Sequence, residues 1–98
     1  MVKRKITWSK EAKESLQEIL DFHIERNGNK SYSIKLLNQI KLSVSYIRDN
    51  NFIGKATDEE FTRVVFKNHY GVFYEVKENV VEIQLIWDAR RNPEDFRV

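Results

Sequence analysis

The chain has 98 residues, 41% hydrophobic and 33% charged, with no cysteine, one proline, three glycines and a formal charge of +2. About 100 residues suffice for one core, so a single domain over residues 1–98 is expected, without disulfides, cysteine-held zinc or a thiol nucleophile. The longest apolar runs, such as Val72-Phe73-Tyr74, are too short to span a membrane, and the basic start Met1-Val2-Lys3-Arg4-Lys5-Ile6 lacks the apolar stretch of a secretory signal, which points to the cytoplasm.

Lys5-Ile6-Thr7-Trp8 alternates polar and apolar residues and predicts a short half-buried strand. Ser9 stands where a helix N-cap belongs, with Glu11 in the first turn, and Ala12, Leu16, Ile19, Leu20 and His23 or Ile24 form the stripe of a first helix. Asn27-Gly28-Asn29 tolerates the left-handed conformation and ends that helix near Arg26. Ser31 or Ser33 can cap a second helix with the stripe Ile34, Leu37, Ile40, Val44 and Ile47, and the short break makes the two an antiparallel hairpin. Arg48 to Glu60 has no period and contains Asn50, Asn51 and Gly54, so it reads as a loop anchored by Phe52 or Ile53. Three strands follow over Phe61 to Lys67, Tyr70 to Lys77 and Val80 to Trp87, joined by Asn68-His69 and Glu78-Asn79, connections short enough to demand antiparallel pairing. In the last strand Val81, Ile83, Leu85 and Trp87 fall on one face, which the helices must cover. Pro93 followed by two acids can start a short terminal helix.

Charge is segregated along the chain. Residues 1–10 carry four bases and no acid, and residues 30–48 carry Lys30, Lys35, Lys41 and Arg48, again without an acid. Residues 11–26 hold five acids against two bases, and residues 49–60 hold four acids against Lys55. The small net charge means that a polyanion would meet a local patch and not a positive whole.

No catalytic motif stands out. His23 falls on a helix and His69 in a turn, with no partner at metal-ligand spacing, so neither a metal nor another cofactor is expected. Gly28, Gly54 and Gly71 are isolated and form no phosphate-cradling loop, and the serines lie away from either histidine. What remains is a set of basic and aromatic residues on the sheet and tail. Arg63 and Lys67 alternate with Phe61 and Val65, Tyr70 and Tyr74 share one face of the next strand, and Arg90 and Arg91 follow the last. Such a set can clamp phosphate and stack on an unpaired base, or can meet an acidic protein surface; equally, the two tyrosines can simply pack beneath the helices.

The phrases Ile6-Thr7-Trp8-Ser9-x-x-Ala12-x-x-x-Leu16-x-x-Ile19, then Arg63-x-x-x-x-x-x-Tyr70-x-x-x-Tyr74-x-Val76 and Val81-x-Ile83-x-x-Ile86-x-x-x-Arg90-Arg91-x-Pro93, resemble the RelE/ParE superfamily of type II toxins over nearly the whole chain. The resemblance implies an α+β fold in the order β-α-α-β-β-β, a twisted and mostly antiparallel sheet with the helical hairpin packed on one face. It also implies a cytoplasmic bacterial toxin, of the kind linked to plasmid stabilization, that is neutralised by a cognate antitoxin. RelE-like members cleave mRNA on the ribosome with sheet cations, an arginine near the end of the last strand and an ionisable group in the tail. On that pattern Arg63, His69, Arg90 and Arg91 are the catalytic candidates. Gly71, however, stands where such members carry an arginine, and Phe96 where they carry a tail tyrosine. ParE-like members instead inhibit DNA gyrase by binding, and the ParE-like reading is the closer one. Its candidate contacts to target or antitoxin are Lys35, Lys41, Arg48, Arg63, Lys67, Arg90 and Arg91, with an acidic segment favoured along the cationic second helix.

Overall fold

The structure, a computed structural model, describes residues 3–90. A first strand, β1 (Lys5–Trp8), leads into a hairpin of two helices, α1 (Lys10–Asn27) and α2 (Ser31–Asp49). Four strands follow: β2 (Lys55–Ala56), β3 (Thr62–Lys67), β4 (Tyr70–Val76) and β5 (Val80–Asp88). They form one five-stranded sheet in the order β1-β5-β4-β3-β2, antiparallel except where β1 runs parallel to β5, Ile6 beside Val81 and Trp8 beside Ile83. The helices cover one face, and the core between the layers is built on Ala12, Ile19, Leu36, Ile40, Tyr74 and Ile83 with their buried neighbours. None of the described helices is long and apolar enough to cross a membrane.

Helix α1 forms as its sequence dictates. Ser9 Oγ accepts the Ala12 N–H at 3.0 Å, and Gly28 at φ 71° donates its N–H to Ile24 O at 2.9 Å. A left-handed position of this kind is one that glycine adopts without strain. Helix α2 departs from expectation at its start and in its rotation. Its N-cap is Lys30, which makes no side-chain capping bond, and the Ser31 N–H is taken instead by Asn29 Oδ1 at 3.0 Å. Ser33 is buried and donates its Oγ to Leu20 O at 2.8 Å, locking the two helices together. This contact turns Leu36, Ile40, Val44 and Ile47 into the core and leaves Ile34 58% exposed.

The segment expected to be all loop contains the two-residue strand β2, paired with Arg63 and Val64 of β3. Neither Phe52 nor Ile53 anchors it by burial; both rings and methyls face outward. Hydrogen bonds of the Tyr74 hydroxyl, to Asn51 O and from the Gly54 N–H, do the anchoring. Strand β3 begins at Thr62, because Phe61 stands at φ 70° and breaks the extended run. The β3–β4 turn is the two-residue one expected, with Asn68 at φ 57°.

Strand β5 does not alternate along its whole length. Tyr74 pairs with Ile83 and Phe73 with Leu85, so Gln84 is an extra residue and the pleat changes face there. The buried series is therefore Val81, Ile83, Ile86 and Asp88, and not Leu85 and Trp87. The bulge is held from several sides. Gln84 accepts from Thr62 Oγ1 at 3.0 Å, donates to Glu75 Oε1 at 3.1 Å and offers its carbonyl to Ser9 Oγ at 3.2 Å. Ser15 Oγ of α1 receives the Ile86 N–H at 3.0 Å. The flip has a chemical consequence: it places a carboxylate, Asp88, on the helix side of the sheet.

Candidate functional site

Strand β4 turns Tyr70, Val72 and Tyr74 toward the helices, so both tyrosines belong to the core. They lie four residues apart, which is about 13 Å along an extended strand. Each hydroxyl organises a separate cluster.

At the Tyr74 end, the hydroxyl donates to Asn51 O at 2.9 Å and accepts the Gly54 N–H at 2.8 Å. Burial pushes this phenol above its ordinary pKa. Gly54 approaches so closely that an added Cβ would stand 2.6 Å from the Tyr74 oxygen. Arg63, opposite Tyr74 across β3 and β4, donates Nη1 to Gly54 O at 2.8 Å and to Phe52 O at 3.3 Å. The Arg63 and Arg4 guanidinium groups also lie against the Phe52 ring, 5.1 and 5.9 Å from its centroid. Arg63 is thus committed to holding the loop that precedes β2.

At the Tyr70 end the partners are side chains. The Tyr70 hydroxyl lies 3.2 Å from His23 Nε2, 3.2 Å from the Tyr32 hydroxyl and 2.9 Å from Arg90 Nη2, which donates to it. Asp88 is buried; its Oδ1 accepts the Arg90 N–H at 3.0 Å and stands 3.8 Å from Arg90 Nε, and its Oδ2 stands 3.9 Å from His23 Nε2. Burial, reinforced by the hydrogen bond with Tyr32, raises the Tyr70 phenol well above its usual range. The Tyr32 phenol moves the other way: the hydrogen bond from Tyr70 holds it below its ordinary value, assisted by Arg90. The Arg90 guanidinium is held more firmly protonated, first by its bond to Tyr32. Beside this cluster opens a cleft of about 630 Å³ where α1 ends, α2 begins and β5 finishes.

The expected site residues are dispersed. Arg90 belongs to the Tyr70 cluster; Lys67 pairs with Tyr70 across β3 and β4, and His69 is exposed in the adjoining turn, its carbonyl accepting the Ala89 N–H at 2.9 Å. Arg63 is at the opposite end. Gly71 lies beneath Phe66, whose ring would meet an added Cβ at 2.9 Å, so the side chain lacking there is replaced by a ring from β3. Lys35, Lys41 and Arg48 are exposed along α2, and Arg48 reaches Asp49 at 3.3 Å. Lys41 and Lys13 border a second, largely apolar groove of about 670 Å³ between α1 and α2, floored by Leu16, Leu20, Leu37 and Val44. Arg91, Phe96 and the expected terminal helix at Pro93 lie outside the described residues. Sequence reasoning missed His23, Tyr32 and Asp88 as members of one cluster. The signal available for His23 was a polar ring at a buried stripe position of α1. For Asp88 the signal was the run Leu85-Ile86-Trp87, which breaks the alternation of β5; a one-residue slip there puts Ile86 and Asp88 on the buried face.

The family profile described as the ParE toxin of the type II toxin–antitoxin system, parDE, matches residues 6–93. No curated protein matches the chain by sequence. Among solved structures, a chain of the chromosomal ParDE toxin–antitoxin system from P. aeruginosa superposes with a TM-score of 0.74 at 18% identity, over 86% of this chain and 94% of that one. A chain of the E. coli DinJ-YafQ toxin–antitoxin complex superposes with a TM-score of 0.60 at 8% identity, over 92% of this chain and 97% of that one. These likenesses support the fold, and the profile, spanning nearly all of the described strands and helices, shows that the chain belongs to the ParE toxin family of type II toxin–antitoxin systems.

Proposed function

We propose that this chain is a growth-inhibiting toxin that acts by binding an essential target, with DNA gyrase the first candidate, and that a cognate antitoxin neutralises it. The observation that carries binding over RNA cleavage is the separation of the cations. A phosphorane needs several positive groups converging on one phosphate, yet Arg63 and Arg90 stand at opposite ends of β4, and Arg63 Nη1 is taken up by the Gly54 and Phe52 carbonyls. Lys67 and His69 share the Arg90 end, but neither has a bond to the Tyr70 cluster through its side chain among the described residues.

The antitoxin reading rests on the groove between α1 and α2. An amphipathic helix fits such a trough through apolar residues at helical spacing, and the flanking Lys13 and Lys41 select acidic residues on its shoulders. The sheet edges offer less: β2 is two residues long and β1 four, lengths that blunt strand addition.

Inducing the chain alone in bacteria, while following growth, plasmid supercoiling and mapped mRNA ends, tests the function. Growth arrest with relaxed plasmid or gyrase-linked DNA breaks is the expected result, and new codon-dependent mRNA cuts would refute it. Arg90→Ala combined with Arg91→Ala is expected to abolish arrest while circular dichroism stays unchanged. Full toxicity in that variant would remove both arginines from the target contact.

A further inference from the structure

The cleft beside the Tyr70 cluster has the size of a small-molecule site, and its walls combine two kinds of chemistry. Arg26, on the last turn of α1, and Arg90, just beyond β5, bring two guanidinium groups to its rim. Arg90 is oriented by Tyr70 and Tyr32, at 2.9 and 3.5 Å from Nη2, and its side chain stays 47% exposed. Its Nη1 has no partner among the described residues. Asp88, the one carboxylate among the described residues of the lining, is only 3% exposed and is already engaged by the Arg90 N–H and guanidinium. Among the described residues the cleft therefore presents two cations against one committed anion. The other walls are aromatic: Phe22 and His23 meet edge to face at 5.1 Å between centroids, and His23 and Tyr32 at 4.6 Å. Asn27 adds an amide able to pair with a polar ring edge.

We propose that this cleft binds a mononucleotide, its phosphate between Arg26 and Arg90 and its base against the Phe22, His23 and Tyr32 wall. Guanidinium forks match phosphate oxygens in both geometry and charge, and a purine or pyrimidine stacks on aromatic rings without needing a particular sequence context. A bare phosphate would leave most of the volume and the whole aromatic wall unused. A neutral base would leave the two arginines unused.

The test is an NMR titration of the full chain, following backbone amides and arginine Nε–Hε groups, with each of the four ribonucleoside 5′-monophosphates, with ribose 5-phosphate and with the four nucleosides. At least one monophosphate is expected to give saturable shifts centred on Asn27, Tyr32, Arg26 and Arg90. It should bind about tenfold or more tighter than ribose 5-phosphate or its own nucleoside. Arg26→Ala, an exposed position whose loss leaves the core intact, is expected to weaken binding by about tenfold with the rest of the spectrum unchanged. Ribose 5-phosphate binding as tightly as every monophosphate would overturn the proposal. So would unaltered affinity in Arg26→Ala, shifts centred elsewhere, or no saturation by any monophosphate up to about 10 mM.

Discussion

Tyr70 and Tyr74 sit on the same face of the same strand, both buried, and differ in what satisfies their hydroxyls. Tyr74 bonds to backbone, the Asn51 carbonyl and the Gly54 amide. Tyr70 bonds to side chains that titrate or carry charge, His23, Tyr32 and Arg90. A backbone partner has nowhere else to go, so the Tyr74 end is structural and its arginine, Arg63, is a clasp. Of these partners Tyr32 and Arg90 reach solvent while His23 is buried, so the Tyr70 end joins the core to groups that a ligand or a partner can touch. The same residue type in the same environment thus divides the surface into a fixed end and a responsive end.

The largest effect that would test this contrast is Tyr74→Phe. It strands a buried N–H and C=O and is expected to cost about 2 kcal/mol, or roughly 10 °C in Tm for a domain of this size, with increased exchange of the Gly54 amide. A loss no greater than that of Tyr70→Phe would erase the distinction. Tyr70→Phe is expected to cost less, about 1 kcal/mol, because the exposed Arg90 and Tyr32 can turn to water and the buried His23 Nε2 still has Asp88 Oδ2 at 3.9 Å. It should leave its mark on titration: without the bond from Tyr70, the Tyr32 phenol returns upward toward its ordinary value of about 10. Ultraviolet titration of tyrosinate in the two proteins measures that shift.

The smallest effect is alkaline. Tyr70 and Tyr74 have folded-state pKa values raised above the unfolded one, so the fold holds their protons more tightly than the open chain does. Their contribution is fully present below about pH 10 and is lost as pH rises through the higher folded values. Tyr32, lowered by Tyr70, contributes in the opposite sense but is partly exposed. Denaturation midpoints followed from pH 9 upward are expected to fall above about pH 10, and the fall should be shallower in Tyr70→Phe. An identical slope would remove Tyr70 from the linkage.

The order of elements was legible because each was marked locally: Ser9 and Gly28 bracket α1, Asn68-His69 makes a hairpin turn, and alternating apolar residues mark β3 to β5. The failures have a common cause, since they depend on contacts remote in sequence. Helix α2 offers apolar residues on several sides, and its rotation is set by Ser33 against Leu20 of α1. The β5 bulge is set by Ser15, Thr62 and Glu75, which no alternation within β5 can reveal. The loop before β2 was expected to use its apolar side chains and instead uses Tyr74, 20 residues beyond Gly54. Arg90 was identifiable as a functional candidate, but the company it keeps was not, because His23, Tyr32 and Asp88 meet only after the bulge and the hairpin have formed. Tyr70 and Tyr74 packing beneath the helices was one of the two readings that the sequence left open, and burial in the core decides for it.

The parallel pairing of β1 with β5 also has a consequence in time. During synthesis, residues 5–8 leave the ribosome first and have no strand to join until residues 80–88 emerge, roughly ten seconds later at common elongation rates. Until then β1 and the β2–β4 strands are not joined into one sheet, and Asp88 and Arg90 are not yet beside His23 and Tyr32. The nascent chain therefore carries neither the finished Tyr70 cluster nor a closed core.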